Sequence, residues 1–306
     1  MEQKIGQATT IEGFGEVMGV AAQGERTNFK PYEPLAKGSP KDVFITSWAK
    51  SGTTMTQQMF HQLRTGHAGG DMDFDDISRV TPWEDTAYLL DLDMTAPQKA
   101  PPRGFKSHRE YERLPAGQRY VVTLRDPKEC YVSFYRFING WHLKDGAVSM
   151  EDFMPLYMSG GPGGCDYATH LLSWYARRNE PDTLLTTYRW TVKNRLAAIR
   201  KMAKFCDIEL TEEIEELVME RTSREFMVEY KDRFDDGMIC ALLEEKCGIP
   251  ANSDSSKVQS SGSSASALPD SVAEAIDAMW AERIAPVTGH ADYASLAAEI
   301  DALAQG

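Results

Sequence analysis

The chain has 306 residues, enough for one large α/β domain or two small ones. Its 42% hydrophobic and 26% charged residues exclude collagen-like, coiled-coil and wholly disordered chains. Lys and Arg number 33 against 46 Asp and Glu, a formal charge of −13. That balance argues against nucleic acid or anionic membranes held by bulk electrostatics, but leaves room for a small anion in a local cradle.

The first residues lack the basic-then-apolar order of a secretory leader, and no apolar run approaches the ~18 residues of a membrane span. The five cysteines, Cys130, Cys165, Cys206, Cys240 and Cys247, are odd in number and show no CxxC spacing. They fit a reducing, cytoplasmic setting.

Residues 1–40 are rich in glycine and polar side chains, with Pro31, Pro34 and Pro40. They read as an arm that lies over the core or partly frays, ahead of a single domain over 41–306. Residues 42–48 read as a buried strand and 49–53 as a turn. From Thr54 a helix is expected, with Met55, Met59, Phe60 and Leu63 on one face and Gly66 as its stop. Strand, small-residue turn and helix open a parallel α/β sheet.

Residues 67–102 are acidic and irregular, an expected excursion over a cleft. A short extended segment at 104–107 and a buried strand at 120–124 follow. Asp126 before Pro127 is an N-cap followed by proline at the first helical position, predicting a helix to about Ile138. The glycine-rich run 160–164 is a loop. Residues 167–178 read as helix and 183–188 as strand. Val192, Leu196, Ile199 and Ala203 recur at helical spacing. Residues 211–229 read as helix with an acidic first turn. The Ser-rich run 251–268 reads as a mobile loop or lid, and 271–284 returns to helix.

Lys50-Ser51-Gly52-Thr53-Thr54 is the sharpest signal. A glycine lets backbone N–H groups close in on an anion, a helix start presents unpaired N–H groups, and Ser51, Thr53, Thr54 and Lys50 add donors and charge. The alternative is a plain polar turn. It departs from the Walker pattern, because Lys50 precedes Gly52 by two. Arg125 ends a buried strand and Ser133 lies about two helical turns beyond it. Ligands of open α/β sheets bind at that edge, so a second anion site is expected there, unless Arg125 simply pairs with Asp126 or Glu129. Lys106 and His108 share a strand face, a cation beside a base suited to transfer onto a hydroxyl; a structural histidine is the alternative.

In this order these segments resemble the cytosolic sulfotransferase family. Its 5′-phosphosulfate loop reads roughly YPKSGTTW, and here residues 48–55 read WAKSGTTM. Its catalytic segment, Lys, then Ser, Thr or Cys, then His, is Lys106-Ser107-His108. Its 3′-phosphate segment matches residues 125–137 at length, from Arg125-Asp126-Pro127 through Ser133 to Phe137. Residues 170–175 and 184–188 resemble the family's helix and the strand ending in a cofactor-contacting tyrosine, here Tyr188. Residues 221–227 resemble the stretch whose hydroxyl nears adenosine, here Thr222. Three positions depart. Met55 stands where many relatives stack tryptophan on adenine. Arg224 stands where an aromatic follows Thr-Ser. Only Gly262 and Lys257 correspond to the C-terminal Arg-Lys-Gly clamp. The dimerisation segment of animal relatives has no match.

The resemblance implies a P-loop-like parallel sheet with helices on both faces. It implies a sulfuryl donor, 3′-phosphoadenosine-5′-phosphosulfate (PAPS), with adenosine 3′,5′-bisphosphate (PAP) as product and no metal. The acceptor would be a small molecule, an alcohol or phenol first and an amine second. His108 would be the base, with Lys50 and Lys106 stabilising charge. Lys50, Ser51, Gly52, Thr53, Thr54, Met55, Arg125, Ser133, Tyr188, Thr222 and Gly262 would bind the donor. A P-loop phosphotransferase, or a protein that binds the nucleotide without transfer, are the other readings. The acceptor mouth is expected from 67–95, Trp141-His142, 160–164 and the Ser-rich run near 260. Trp83, Tyr88, Phe137, Trp141 and Tyr167 would line its pocket or else sit in the core.

Overall fold

The computed structural model describes residues 6–29, 39, 41–161, 164–248 and 268–305. Four strands carry the fold: β1 (Val43–Thr46), β2 (Gly104–Ser107), β3 (Arg119–Leu124) and β4 (Thr183–Thr187). They form one parallel sheet in the order β2-β1-β3-β4. Side chains alternate across a strand, and here both faces are apolar. Phe44, Phe105, Tyr120, Val122 and Leu185 enter one core, while Val43, Ile45 and Val121 enter another. A parallel sheet buried on both faces must be covered twice.

The helices, in chain order, are α1 (Ile11–Asn28), α2 (Thr53–Thr65), α3 (Ile77–Val80), α4 (Pro127–Trp141), α5 (Met150–Ser159), α6 (Tyr167–Ala176) and α7 (Tyr188–Lys193). Then come α8 (Arg195–Phe205), α9 (Glu212–Arg221), α10 (Arg224–Glu229), α11 (Gly237–Cys247), α12 (Asp270–Met279), α13 (Ala285–Thr288) and α14 (Tyr293–Gln305). Met59, Phe60 and Leu63 of α2 join Trp190, Ile199 and Val218 on one face. Tyr131, Phe153, Leu171, Trp174 and Ile276, from α4, α5, α6 and α12, fill the other. The expected parallel α/β architecture is thus present.

Several local expectations shift. Residues 1–40 contain the helix α1, where only an arm was read. Thr10 caps it by accepting from the Gly13 amide, and Phe14, Val17 and Ala21 bury one face. Gly24 lets α1 approach α11 so closely that a Cβ there would stand 2.6 Å from Cys247 Sγ. The 211–229 helix is two, because the Ser223 hydroxyl caps α10 by accepting from Phe226 N. The periodic run through Val192 and Leu196 breaks at Asn194, which leaves Val192 exposed. α4 runs three residues past Ile138 to Trp141. The Ser-rich run lies outside the described residues except Leu268.

Gly66 does not stop α2 by turning left-handed. Its φ is −57°, and Gly69 takes the left-handed turn after one further 3-10 turn. Gly66 is small for packing: a Cβ would stand 2.6 Å from Cγ2 of buried Ile214 in α9. Gly→Ala at a right-handed position ordinarily stabilises. Here overpacking reverses the sign, so Gly66→Ala is expected to destabilise by about 1–3 kcal/mol. Urea unfolding reads this directly; an unchanged or raised midpoint contradicts it.

Candidate active site at the carboxyl edge of the sheet

The chain leaves β1 for β2 on one side and reaches β3 on the other, so the sheet switches direction beside β1. A crevice opens at the carboxyl ends of strands at such a point. It forms a cavity of about 660 Å³. Its walls bring together Lys50, Gly52, Thr53, Thr54, Met55, Lys106, His108, Arg125, Ser133, Tyr188 and Thr222. Two expected donor residues are not among them. Ser51 is buried, with its hydroxyl 3.2 Å from Cys130 Sγ, because the turn rotates it inward. Gly262 lies outside the described residues, as does Lys257.

The turn from β1 into α2 is backbone-driven. Lys50 and Gly52 have φ of 65° and 95°. Gly52 is required twice over: its φ disfavours a side chain, and a Cβ would stand 2.5 Å from Cδ2 of Tyr188. Gly52 supplies no side-chain cap, so the first N–H groups of α2 face the crevice uncapped. Thr53 Oγ1 is buried without a hydrogen-bond partner.

Lys106 and His108 arrive from β2. Lys106 Nζ sits 3.8 Å from the centre of the Trp83 ring, and Lys50 Nζ sits 4.4 Å from that of Phe137. His108 Nδ1 is 2.6 Å from the Ser47 carbonyl. A carbonyl only accepts, so Nδ1 carries the proton, and in the neutral ring Nε2 is the basic nitrogen. Trp83 meets the imidazole edge-on at 5.1 Å.

Arg125 lines the cavity and also pairs with Glu129. Its Nη1 donates to the Lys50 carbonyl at 2.7 Å and its Nε to Glu129 Oε2 at 3.1 Å. Arg189 donates to the other Glu129 oxygen at 2.5 Å, so two arginines share one carboxylate. The Arg125 guanidinium lies 4.6 Å from the centre of the Tyr188 ring.

Much of the remaining lining is apolar. Phe14, Met18 and Ala21 of α1 face Phe137 and Trp141 of α4 and Leu243 of α11. Trp83, Phe137 and Trp141 line the cavity as expected, while Tyr88 and Tyr167 do not. Tyr88 donates instead to Glu25 at 2.8 Å, and buried Tyr167 donates to the Arg125 carbonyl at 2.7 Å. Of the 67–95 and 160–164 stretches, Trp83, Thr86, Leu89, Gly160 and Gly161 reach the wall. His142 also lines it, stacked on Trp141 at 4.0 Å, and burial pushes its pKa down to about 4. The part played by α1 was missed because its polar, glycine-rich sequence hides the helix. Arg195 was missed because it carries no motif, yet it too lines the cavity.

Among the described residues no group of three or more His, Cys, Asp or Glu stands close enough to hold a metal, and no helix is long and apolar enough to cross a membrane. Residues 40–237 match the profile of the sulfotransferase domain. The chain belongs to the sulfotransferase domain family. It is 27% identical to a rabbit (Oryctolagus cuniculus) amine sulfotransferase over 61% of this chain and 62% of that one. It is 26% identical to a firefly (Photinus pyralis) luciferin sulfotransferase over 67% of this chain and 63% of that one. The match thus spans less than two thirds of either relative. A structure of retinol dehydratase with androsterone and PAP superposes with TM-score 0.62 at 18% identity, covering 81% of this chain and 82% of that one. A mouse sulfotransferase with PAP gives 0.56 at 19% identity, covering 81% and 86%. These two share the fold.

One buried carboxyl supports β2. The Ser107 hydroxyl donates to Glu84 Oε1 at 2.5 Å, whereas Arg109 Nε is 3.7 Å away, too far for a hydrogen bond. Burial therefore wins, and pushes the Glu84 carboxyl from 4.5 up to about 7. The folded sulfotransferase domain holds this proton more tightly than the unfolded chain does. The stability it contributes is complete below pH 4.5 and is lost as pH rises through about 7, of order 3 kcal/mol in all. Glu84→Gln is expected to flatten the decline of urea stability across that window. A pH profile that overlays the parent's contradicts this.

Proposed function

We propose that this chain transfers a sulfuryl group from PAPS to a hydroxyl or amine of a small, largely apolar acceptor, releasing PAP. The observation that carries the reading is one cavity whose lining joins the Lys50 turn, Arg125 and Ser133 with Lys106, His108 and apolar side chains of α1, α4 and α11. The residues fit such a donor: the α2 start is uncapped and the buried Thr53 hydroxyl lacks a partner.

In this reading Thr53, Thr54 and the turn amides hold the 5′-phosphate. Arg125 and Ser133 hold the 3′-phosphate, with Met55, Tyr188 and Thr222 around the nucleoside. The acceptor oxygen attacks sulfur in line, and its proton passes to His108 Nε2. The bond from sulfur to the bridging oxygen breaks, and its electron pair stays on the phosphate of PAP. Lys50 and Lys106 offset the charge that develops there.

The rabbit relative is named for amines, the firefly relative for luciferin, and the dehydratase was solved with a steroid and, separately, with retinol. Androsterone and retinol are both largely apolar alcohols, in keeping with the apolar side chains that α1, α4 and α11 give the cavity. An alcohol or phenol is the first acceptor to try. No disulfide joins any of the five cysteines, in keeping with a cytoplasmic setting.

An acceptor screen with labelled PAPS tests the reading, and His108→Ala tests the base. The variant is expected to lose ~10²–10⁴ in kcat/KM while keeping its PAP affinity. Turnover within tenfold of the parent contradicts the role of His108. PAP binding without transfer to any acceptor favours a nucleotide-binding protein instead.

A further inference from the structure

The cavity holds a cation that the family motifs do not predict. Arg195 opens α8 and lines the same wall as Tyr188, Val192, Thr222 and Arg224. Its Nε is buried and makes no hydrogen bond. Among the described residues no carboxylate pairs with it; the nearby ion pairs join Arg125 and Arg189 to Glu129, and Arg200 to Glu215. A buried guanidinium N–H left without an acceptor is costly, and such groups are ordinarily satisfied. The planar fork of arginine suits a phosphate better than any other common anion partner except a carboxylate.

The topology says which phosphate. Lys106 and His108 stand on or just beyond β2, one edge of the sheet, and the Lys50 turn follows β1 beside it. Arg195 enters from the other edge, after β4 and α7. Strands lie ~4.8 Å apart, so three steps from β2 to β4 separate these edges by roughly 14 Å. A group at the β4 edge meets the end of a bound nucleotide remote from the reacting sulfur. At that end Arg125 and Arg189 both pair with Glu129, so Arg195 adds a further cation that this carboxylate does not engage.

We propose that Arg195 binds the 3′-phosphate of the bisphosphate nucleotide as a second cation beside Arg125. This rests on the donor reading above. It makes Arg195 a residue for donor selection, one that separates PAPS and PAP from nucleotides lacking the 3′-phosphate.

Calorimetric titration of the full chain with PAP and with AMP tests it, using the parent, Arg195→Gln and Arg195→Lys. The Gln variant keeps side-chain hydrogen bonding without charge, and its AMP affinity reports an intact site. Arg195→Gln is expected to weaken PAP at least tenfold and AMP less than twofold. Arg195→Lys should recover part of the loss, and the loss should shrink at high salt. Equal weakening of both nucleotides, or change in neither, overturns the proposal. A parent that binds PAP no better than AMP overturns the donor reading itself. A parent that prefers PAP and a Gln variant with the same preference overturn only the role of Arg195.

Discussion

The turn between β1 and α2 is the constraint on which the site depends. Two of its three central residues, Lys50 and Gly52, sit in the left-handed region, which glycine adopts freely but Lys50 adopts only where its surroundings hold it. Three contacts hold it. The Lys50 carbonyl accepts from Arg125, the Ser51 hydroxyl meets Cys130 of α4, and Gly52 lies under the ring of Tyr188. These partners come from the end of β3, from α4 and from the end of β4. One strained turn thus joins the carboxyl ends of three neighbouring strands, and the uncapped start of α2 is aimed into the crevice they share.

The second half of the cavity lining brings cations against aromatic rings. Lys106 and Lys50 each rest over an aromatic ring, whose electron-rich face attracts the ammonium group. His108 has its tautomer set by the Ser47 carbonyl, in the segment that leads into the turn, so one hydrogen bond ties the proposed base to the proposed cradle. The overall charge of −13 acquires a sharper meaning in this light. Within a net-negative chain, Lys50, Lys106, Arg125, Arg195 and Arg224 line one cavity, so donor binding as proposed should depend on a few residues and on ionic strength.

The strands, the cradle and the Asp126-Pro127 helix start were legible because each is local. Alternation, a glycine in a turn and an N-cap before proline are decided within a few residues. What was not legible depends on partners far away in sequence. Gly66 looks like a helix stop but is small because Ile214 packs against it. Ser51 looks like a phosphate donor but turns inward, since left-handed residues flank it on both sides. Tyr167 looks like a pocket aromatic but is spent on the Arg125 carbonyl. α1 draws its stability from burying Phe14, Val17 and Ala21 rather than from helix propensity, so its composition conceals it. Arg195 belongs to no pattern and is marked only by its place on the cavity wall.

The most direct measurement is PAP binding by a Gly52→Ala variant. The new methyl group would meet the Tyr188 ring at 2.5 Å and burden a φ of 95°, touching nothing in the acceptor chamber. If the turn is the anion cradle, calorimetry should show PAP affinity falling by two orders of magnitude or more, with the fold retained by circular dichroism. A folded variant that binds PAP as tightly as the parent would contradict the account at its root.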